Sequence, residues 1–469
     1  KQLVVLGAGP GGFTAAFLAA DQGFAVTLID ANPYLGGTCL HQGCIPSKAL
    51  LAIVQTITRA KEAQECGIHF QEPEIRLEKL REFKKNVVSK LSTGLSQLCK
   101  QKKITFVQGK ASFVHSQAIA VEKPDGAIET IAFEKCIIAT GSQAIKPDVV
   151  PDGLTSVMFS SQALELKEIP HNLLVIGGGY IGLEMASIYA GLGSKVTVCE
   201  MLPQLLSGAD QDLVAIVIKN LKKKISAIKL STTVKKISPV DNGLEITFVH
   251  EDKETKECFD KILVATGRKP NVADLRLERT KIQQEKNGFI KVNTSQETHD
   301  KNIYAIGDVV AGPMLAHKAS CEAALVINAM TGKKNKPLKA VIPSVVFTDP
   351  EMAYCGLTEN LAKEKNIKVE VLKFPWAANS RALSLNRTDG LTKLIFDAKK
   401  KKLLGAGMVG VEAGELIAQA LLSINAEADI QKLASSVYPH PTLSETFKEC
   451  LELSLGKSFY ASRRSKAEA

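Results

Sequence analysis

The chain has 469 residues, too many for one ordinary hydrophobic core, so two or three domains are expected. Hydrophobic residues at 45% and charged residues at 23% fit a water-soluble globular protein, and the longest apolar run, around Leu173 to Leu192, is broken by glycines and Glu184 and falls short of a membrane span. The net charge of +10 comes from scattered basic residues with no interleaved aromatics, which argues against a single-strand nucleic-acid platform and reads as plain solvated surface, with an acidic protein partner the one use the excess charge would favour.

Lys1 opens almost directly on a strand and is not Met, which fits a trimmed terminus and leaves open whether a targeting segment was removed. LVVLGAGPGGFTAAFLAADQGFAVTLID then reads as strand, Gly-rich turn, helix and strand. Gly7 permits the tight turn, Gly9 lets the backbone approach a pyrophosphate, and Gly12 allows close helix–sheet packing. The helix N-terminus offers free N–H groups to the anion, and Asp30 ends the next strand, where a carboxylate accepts from ribose hydroxyls.

GGTCLHQGCIPSKALL follows, with Cys39 and Cys44 separated by four residues. Metal sites show closer pairs and more ligands, whereas Pro46 suits a first helical turn that puts Cys44 at a helix N-terminus, where a thiolate is stabilised. Such a pair can cycle between disulfide and dithiol. Lys48, four residues on, shares a helical face with Cys44. The other cysteines are isolated, and a chain of this size needs no staples, so reduced thiols and a cytoplasmic location are expected.

Leu77, Leu80, Val87, Val88, Leu91, Leu95 and Leu98 then recur at helical spacing. ATGS, with Thr140, Gly141 and Ser142, closes the first module. LLVIGGGYIGLEMASIYAGLGSKVTVCE repeats the opening plan, with Gly177, Gly179 and Gly182 in the turn and Glu200 as the acid. A carboxylate at that position favours the free 2′-hydroxyl of NAD over the 2′-phosphate of NADP, and no arginine follows to hold a phosphate. Tyr180 lies inside the turn, placed equally well to cover a nicotinamide or to pack at the helix start. ATGRKPN, with Gly267, closes this module, and IYAIGDV reads as a strand returning to the first. From about Val341 the pattern changes to alternating apolar segments, with the lysine run Lys399–Lys402 as a hairpin turn and two helical stretches. Near the end, YPHPTLSETF spaces His440 and Glu445 for a turn-then-helix geometry in which the carboxylate orients the imidazole as a general base.

Taken together, these segments resemble the pyridine-nucleotide-disulfide oxidoreductase family in its lipoamide-type form, over essentially the whole chain. GGTCLHQGCIPSKALL is similar to the family's active-site disulfide segment, and YAIGD with Asp308 to its second flavin motif. MLAHKA, PSVVFTDPEMAYCGLTE, FPWAANSRA and HPTLSE are also similar. The resemblance implies an α/β fold with two Rossmann-like dinucleotide-binding domains and an α+β C-terminal dimerisation domain. Its expected limits are 1–145 for FAD, 146–270 for NAD, 271–340 for a central segment returning to the FAD domain, and 341–469 for the interface. It implies Cys39 as the interchange thiol, Cys44 as the flavin contact, Lys48 and Glu184 as a pair beside the flavin, and His440 with Glu445 as the acid/base reaching the other subunit of a homodimer. Cofactor contacts are implied also at Gly37, Thr38, Ala111, Val234, Met314, Leu315, Ala316 and His317.

The implied activity is oxidation of dihydrolipoyl groups with FAD and NAD, without a metal. The implied partner is a lipoyl-bearing acyltransferase of a 2-oxo acid dehydrogenase complex or a glycine-cleavage lipoyl carrier. Two positions depart from the family pattern: His41 stands where Asn is common, and Tyr438 where a His commonly precedes the catalytic one. Glutathione-type and mercuric-type reductases are the nearest rivals, and a mainly structural binding subunit of a lipoyl complex is a rival of another class. Glu200 speaks against the first, and the tail SFYASRRSKAEA, which lacks a cysteine pair, against the second.

Overall fold

Leu3, Val4, Val5 and Leu6 are all fully buried, as a strand covered on both faces must be. Their strand, Gln2–Leu6, is the centre of a five-stranded parallel sheet in the order Ile303–Ala305, Lys135–Ile138, Gln2–Leu6, Ala25–Asp30, Thr105–Gln108. Successive side chains point to opposite faces. Leu3 and Val5 therefore join a core with the helices Pro10–Asp21 and Ala316–Met330, while Val4 and Leu6 pack against an antiparallel three-stranded sheet that contributes Phe113, Ile119 and Val121. This computed structural model describes residues 1–333 and 341–457; the end of the expected central segment and the tail from Ser458 lie outside the described residues.

The second module repeats the design. Asn172–Ile176 is the centre of a parallel sheet ordered Ala227–Lys229, Lys195–Cys199, Asn172–Ile176, Lys261–Val264, Val157–Phe159. Leu173 and Val175 face the helix Tyr180–Gly191, and Leu174 faces a second antiparallel three-stranded sheet through Ile246 and Phe248. A two-stranded antiparallel ribbon, Ser142–Ala144 with Arg268–Pro270, joins the modules just beyond the ATG of each.

The remaining residues form an antiparallel five-stranded sheet ordered Ser344–Val346, Glu351–Gly356, Leu403–Gly410, Leu391–Asp397, Val369–Pro375. Ala413–Asn425 and Glu445–Ser454 supply Ile417, Ala420, Phe447 and Leu451 to its core. Three short helices, Glu359–Glu364, Ser380–Ser384 and Ile430–Ala434, accompany the two expected long ones. The lysine run does lie in the turn between Leu391–Asp397 and Leu403–Gly410. Lys393, on the sheet, is buried and bonds Asp210 at 2.7 Å and Asp212 at 3.0 Å, tying the second module to this unit. A buried lysine is tolerable because these acids compensate its charge.

The expected helix after the cysteines spans Leu77–Gln101. Its periodic face is less covered than the pattern suggests: Leu91 and Leu98 stay exposed in the single chain.

Candidate active site

Both Gly-rich turns are built from the same constraint. Gly7 has φ +96°, and a Cβ there would stand 2.3 Å from the Ala139 carbonyl oxygen; at Gly177 the values are φ +111° and 2.4 Å from that of Ala265. Only glycine fits so close a crossing of turn and neighbouring strand. The Cβ position of Gly9 faces open space, its nearest neighbour being the Gly37 Cα at 4.0 Å, so a ligand can reach the backbone there. Gly12 and Gly182 pack their helices onto the turn, where a Cβ would meet the carbonyl oxygens of Gly7 and Gly177.

The acids that end the second strands brace these turns. Asp30 accepts from the Ala8 N–H at 2.7 Å and the Asn32 N–H at 2.8 Å. Glu200 accepts in the same way from Gly178 at 2.7 Å and Leu202 at 2.8 Å. A carboxylate has about four lone-pair sites, so each retains capacity for a ribose hydroxyl.

A deep cleft runs along the first module. It is lined by Gly7, Gly9, Asp30, Gly37, Thr38 and Ala111 and also by Cys39, Cys44, Lys48, Tyr180 and Glu184. Thr140, Gly141, Ser142, Asp308, Met314 and Ala316 line it too. First-turn residues of several helices reach it, among them Pro10 of Pro10–Asp21, Cys44 of Cys44–Glu62 and Ala316 of Ala316–Met330. Helix N-termini present N–H groups and positive potential, which suits the phosphates and polar ring edge of a flavin dinucleotide.

Cys39 sits in the short helix Gly37–Gln42, and Cys44 opens the next one after Gly43. The pair stands here in its dithiol form. Cys44 is lowered to about 7 by the hydrogen bond with Cys39 and by the Lys48 charge. Cys39 is pushed well above the usual thiol range by that same bond and by burial. The pair thus holds its first negative charge on Cys44. In the dithiol protein, thiolate absorbance should rise as pH climbs through about 7, with Cys44 a thiol below and a thiolate above. Replacing Cys39 by Ala removes the donor and should move that step upward. A step that stays in place would show that the bond is not its cause.

Glu184 is buried and takes both its compensating contacts across domain boundaries: Lys48 at 2.7 Å, and the Phe347 N–H at 3.2 Å. The Lys48 ammonium also lies 4.6 Å from the Phe347 ring centroid. The sequence marked Lys48 and Glu184 but not Phe347, which lies within the quoted PSVVFTDPE segment. Arg268 was also missed. It follows Gly267 in ATGRKPN and donates to Ser142 at 2.7 Å and 2.6 Å.

Several expected contacts lie away from this cleft. Gly177, Gly179, Gly182 and Glu200 stand at the turn of the second module, and Val234 packs against its antiparallel-sheet core. Gly267 has φ +134° in the linking ribbon region. Leu315 caps its helix, and His317 donates through Nε2 to the Pro343 carbonyl at 2.8 Å. His41 is likewise committed, its Nε2 donating to the Leu35 carbonyl at 2.8 Å. Tyr438 packs on the C-terminal core.

His440 is also outside the cleft, in the C-terminal unit. Its Nδ1 is 2.9 Å from Glu445, the first residue of a helix, whose second oxygen accepts from Thr442 at 2.8 Å. A carboxylate only accepts here, so Nδ1 carries a proton and Nε2 is the nitrogen left for a substrate, on a side chain that is 61% exposed. Asn379 of FPWAANSRA is buried and steadies this loop, donating to the Thr442 carbonyl at 3.2 Å.

Two dinucleotide modules, a paired-cysteine helix start at their shared cleft and an outward imidazole on a third unit define a class: an oxidoreductase that works between thiols and nucleotide cofactors. The chain belongs to the pyridine nucleotide-disulphide oxidoreductase family, whose sequence model matches residues 1–323, with the family's dimerisation domain matching 342–451. Its cofactors are FAD and NAD. It is 42% identical to a dihydrolipoyl dehydrogenase of Buchnera aphidicola (from Schizaphis graminum), over 97% of this chain and 96% of that one. It is 40% identical to one of Geobacillus stearothermophilus, again over 97% and 96%. Among solved structures it resembles the HOCl-induced flavoprotein disulfide reductase RclA of Escherichia coli (TM-score 0.86, 29% identity, 97% of this chain and 100% of that one). The fold also matches that of LpdA from Mycobacterium tuberculosis (TM-score 0.89, 24% identity, 96% of this chain and 99% of that one).

Proposed function

We propose that the chain oxidises protein-bound dihydrolipoyl groups with NAD⁺, as a homodimer serving the lipoyl-bearing acyltransferase of a 2-oxo acid dehydrogenase complex or a glycine-cleavage carrier. The observation that carries this reading is the Cys39–Cys44 pair at a helix N-terminus, facing the same cleft as the Lys48–Glu184 ion pair. The relatives named dihydrolipoyl dehydrogenase, similar over nearly the full chain, support it. Their bacterial sources support a cytoplasmic location. No helix among the described residues is long and apolar enough to cross a membrane.

His440 of the partner subunit takes the proton of one substrate thiol through Nε2, while Glu445 stabilises the imidazolium. The substrate thiolate forms a bond to the Cys39 sulfur of the oxidised pair, and the Cys39–Cys44 bond breaks. Cys44 leaves as the thiolate, the better leaving group of the two because its pKa is lowered to about 7. The second substrate thiol displaces Cys39, closing the lipoyl disulfide and leaving the protein as a dithiol. FAD, held in the cleft by residues such as Gly9, Asp30 and Asp308, would supply the two-electron acceptor, and NAD⁺ the final hydride acceptor. Lys48 and Glu184 hold a fixed pair of charges in that cleft.

The test is turnover of dihydrolipoamide by the yellow purified protein, with NAD⁺ and NADP⁺ compared. Catalytic efficiency should clearly favour NAD⁺, because Glu200 stands where a 2′-phosphate would lie. In Glu200→Ala that preference should narrow. A colourless protein that only binds lipoyl carriers would refute the enzyme reading, and equal use of both nucleotides the role of Glu200.

A further inference from the structure

Asp308 lies in the turn after Ile303–Ala305, and its surroundings hold it from two sides. Behind it, the buried pair Lys318 and Glu322 clamps both faces of Gly307: Lys318 donates to the Gly307 carbonyl at 2.9 Å, and Glu322 accepts from the Gly307 N–H at 2.7 Å. In front, Ser142 Oγ stands 2.5 Å from Asp308 Oδ2. Arg268 grips the same serine with a fork, Nε to Oγ at 2.7 Å and Nη2 to the carbonyl at 2.6 Å.

The directions of these bonds are forced. A guanidinium only donates, so Ser142 Oγ accepts from Arg268 and must spend its single proton on Asp308. The carboxylate is thereby fixed through Oδ2, and Oδ1 has no protein partner among the described residues. All three side chains line the cleft. They also sit on the ribbon that joins the modules, since Ser142 and Arg268 belong to its two strands.

We propose that Arg268 is a positioning residue for the flavin site, acting through Ser142 to aim Asp308 Oδ1 at a hydroxyl of the bound flavin's polar chain. This rests on the oxidoreductase reading above, with FAD in the cleft. The arginine belongs to the last strand of the nucleotide module, so the relay makes flavin retention depend on the closed ribbon between modules. Lysine cannot reproduce it: an ammonium offers point donors, whereas the fork needs two parallel N–H groups in one plane.

Release of FAD from the holoprotein, followed as the rise of free-flavin fluorescence, tests the relay. Hydrogen bonds to charged groups are strong enough that Ser142→Ala and Arg268→Met should each release FAD on the order of tenfold faster. Arg268→Lys should fall between wild type and Arg268→Met. Because both changes cut one chain of bonds, the double variant should be no more than about twofold faster than Arg268→Met alone. Melting curves of the variants separate this from loss of folding. A residue of merely structural importance would give effects that multiply in the double variant, and that result would overturn the relay. Wild-type release rates in Arg268→Met, with wild type holding FAD, would overturn it too while leaving the oxidoreductase reading intact. A wild-type protein that binds no FAD overturns that reading and the relay with it.

Discussion

Cys44→Ser should keep its FAD and lose dihydrolipoamide:NAD⁺ turnover altogether. The sulfur at this position is the one that leaves the opened disulfide, and a serine oxygen cannot form that bond. Flavin retention is expected because the substitution keeps the rest of the cleft: the Gly-rich turn, Asp30, Asp308 and the helix starts at Pro10 and Ala316 are untouched. The hydroxyl is close in size to the thiol, and the helix Cys44–Glu62 does not depend on the sulfur for its cap. Visible absorbance of the purified variant gives the FAD content, and NADH formation gives the turnover. A variant with near wild-type turnover would end the disulfide mechanism. A variant that turns colourless would instead show that Cys44 helps to hold the flavin.

His440→Ala should lower turnover by about 10²–10⁴, the usual range for removing a general acid–base group. The imidazole is prepared for that role: Glu445 holds Nδ1 at 2.9 Å, and the side chain is exposed. It faces outward from its own chain, not into its own cleft, and this is why a second subunit enters the argument. A two-fold dimer would bring each imidazole to the neighbour's cysteines. Mixing Cys39→Ser with His440→Ala, each inactive alone, gives mixed dimers with one site carrying both lesions and one carrying neither. With random exchange, activity should recover to about a quarter of wild type. Verified mixed dimers that remain inactive would reject the shared site but leave the cysteine chemistry standing. A His440→Ala protein within about twofold of wild type would reject the base itself.

The parts of the site that are local in sequence were readable from it. Each glycine turn, its following helix and its acid fall within about thirty residues, and the spacing alone encodes strand, turn and dipole. The same holds for Cys39 and Cys44 with Pro46, and for His440 with Glu445, five residues apart. The resemblance added the pairing of Lys48 with Glu184, which are 136 residues apart and which no periodicity connects.

Tertiary structure decided what lies between such segments. Ser142 meets Arg268 across 126 residues and Asp308 across 166, because the ribbon and the edge strand Ile303–Ala305 bring three chain regions to one place. Phe347 reaches the Lys48–Glu184 ion pair from the C-terminal unit, and Asn379 supports the His440 loop from a motif whose role the sequence left open. The sequence by itself determined the elements, their order and the chemistry each local motif offers. Which side chains share a hydrogen bond was set only when the parallel sheets, the linking ribbon and the antiparallel sheet packed together, since a chain's hydrophobic pattern specifies the faces to be buried but not the partner brought to each polar atom.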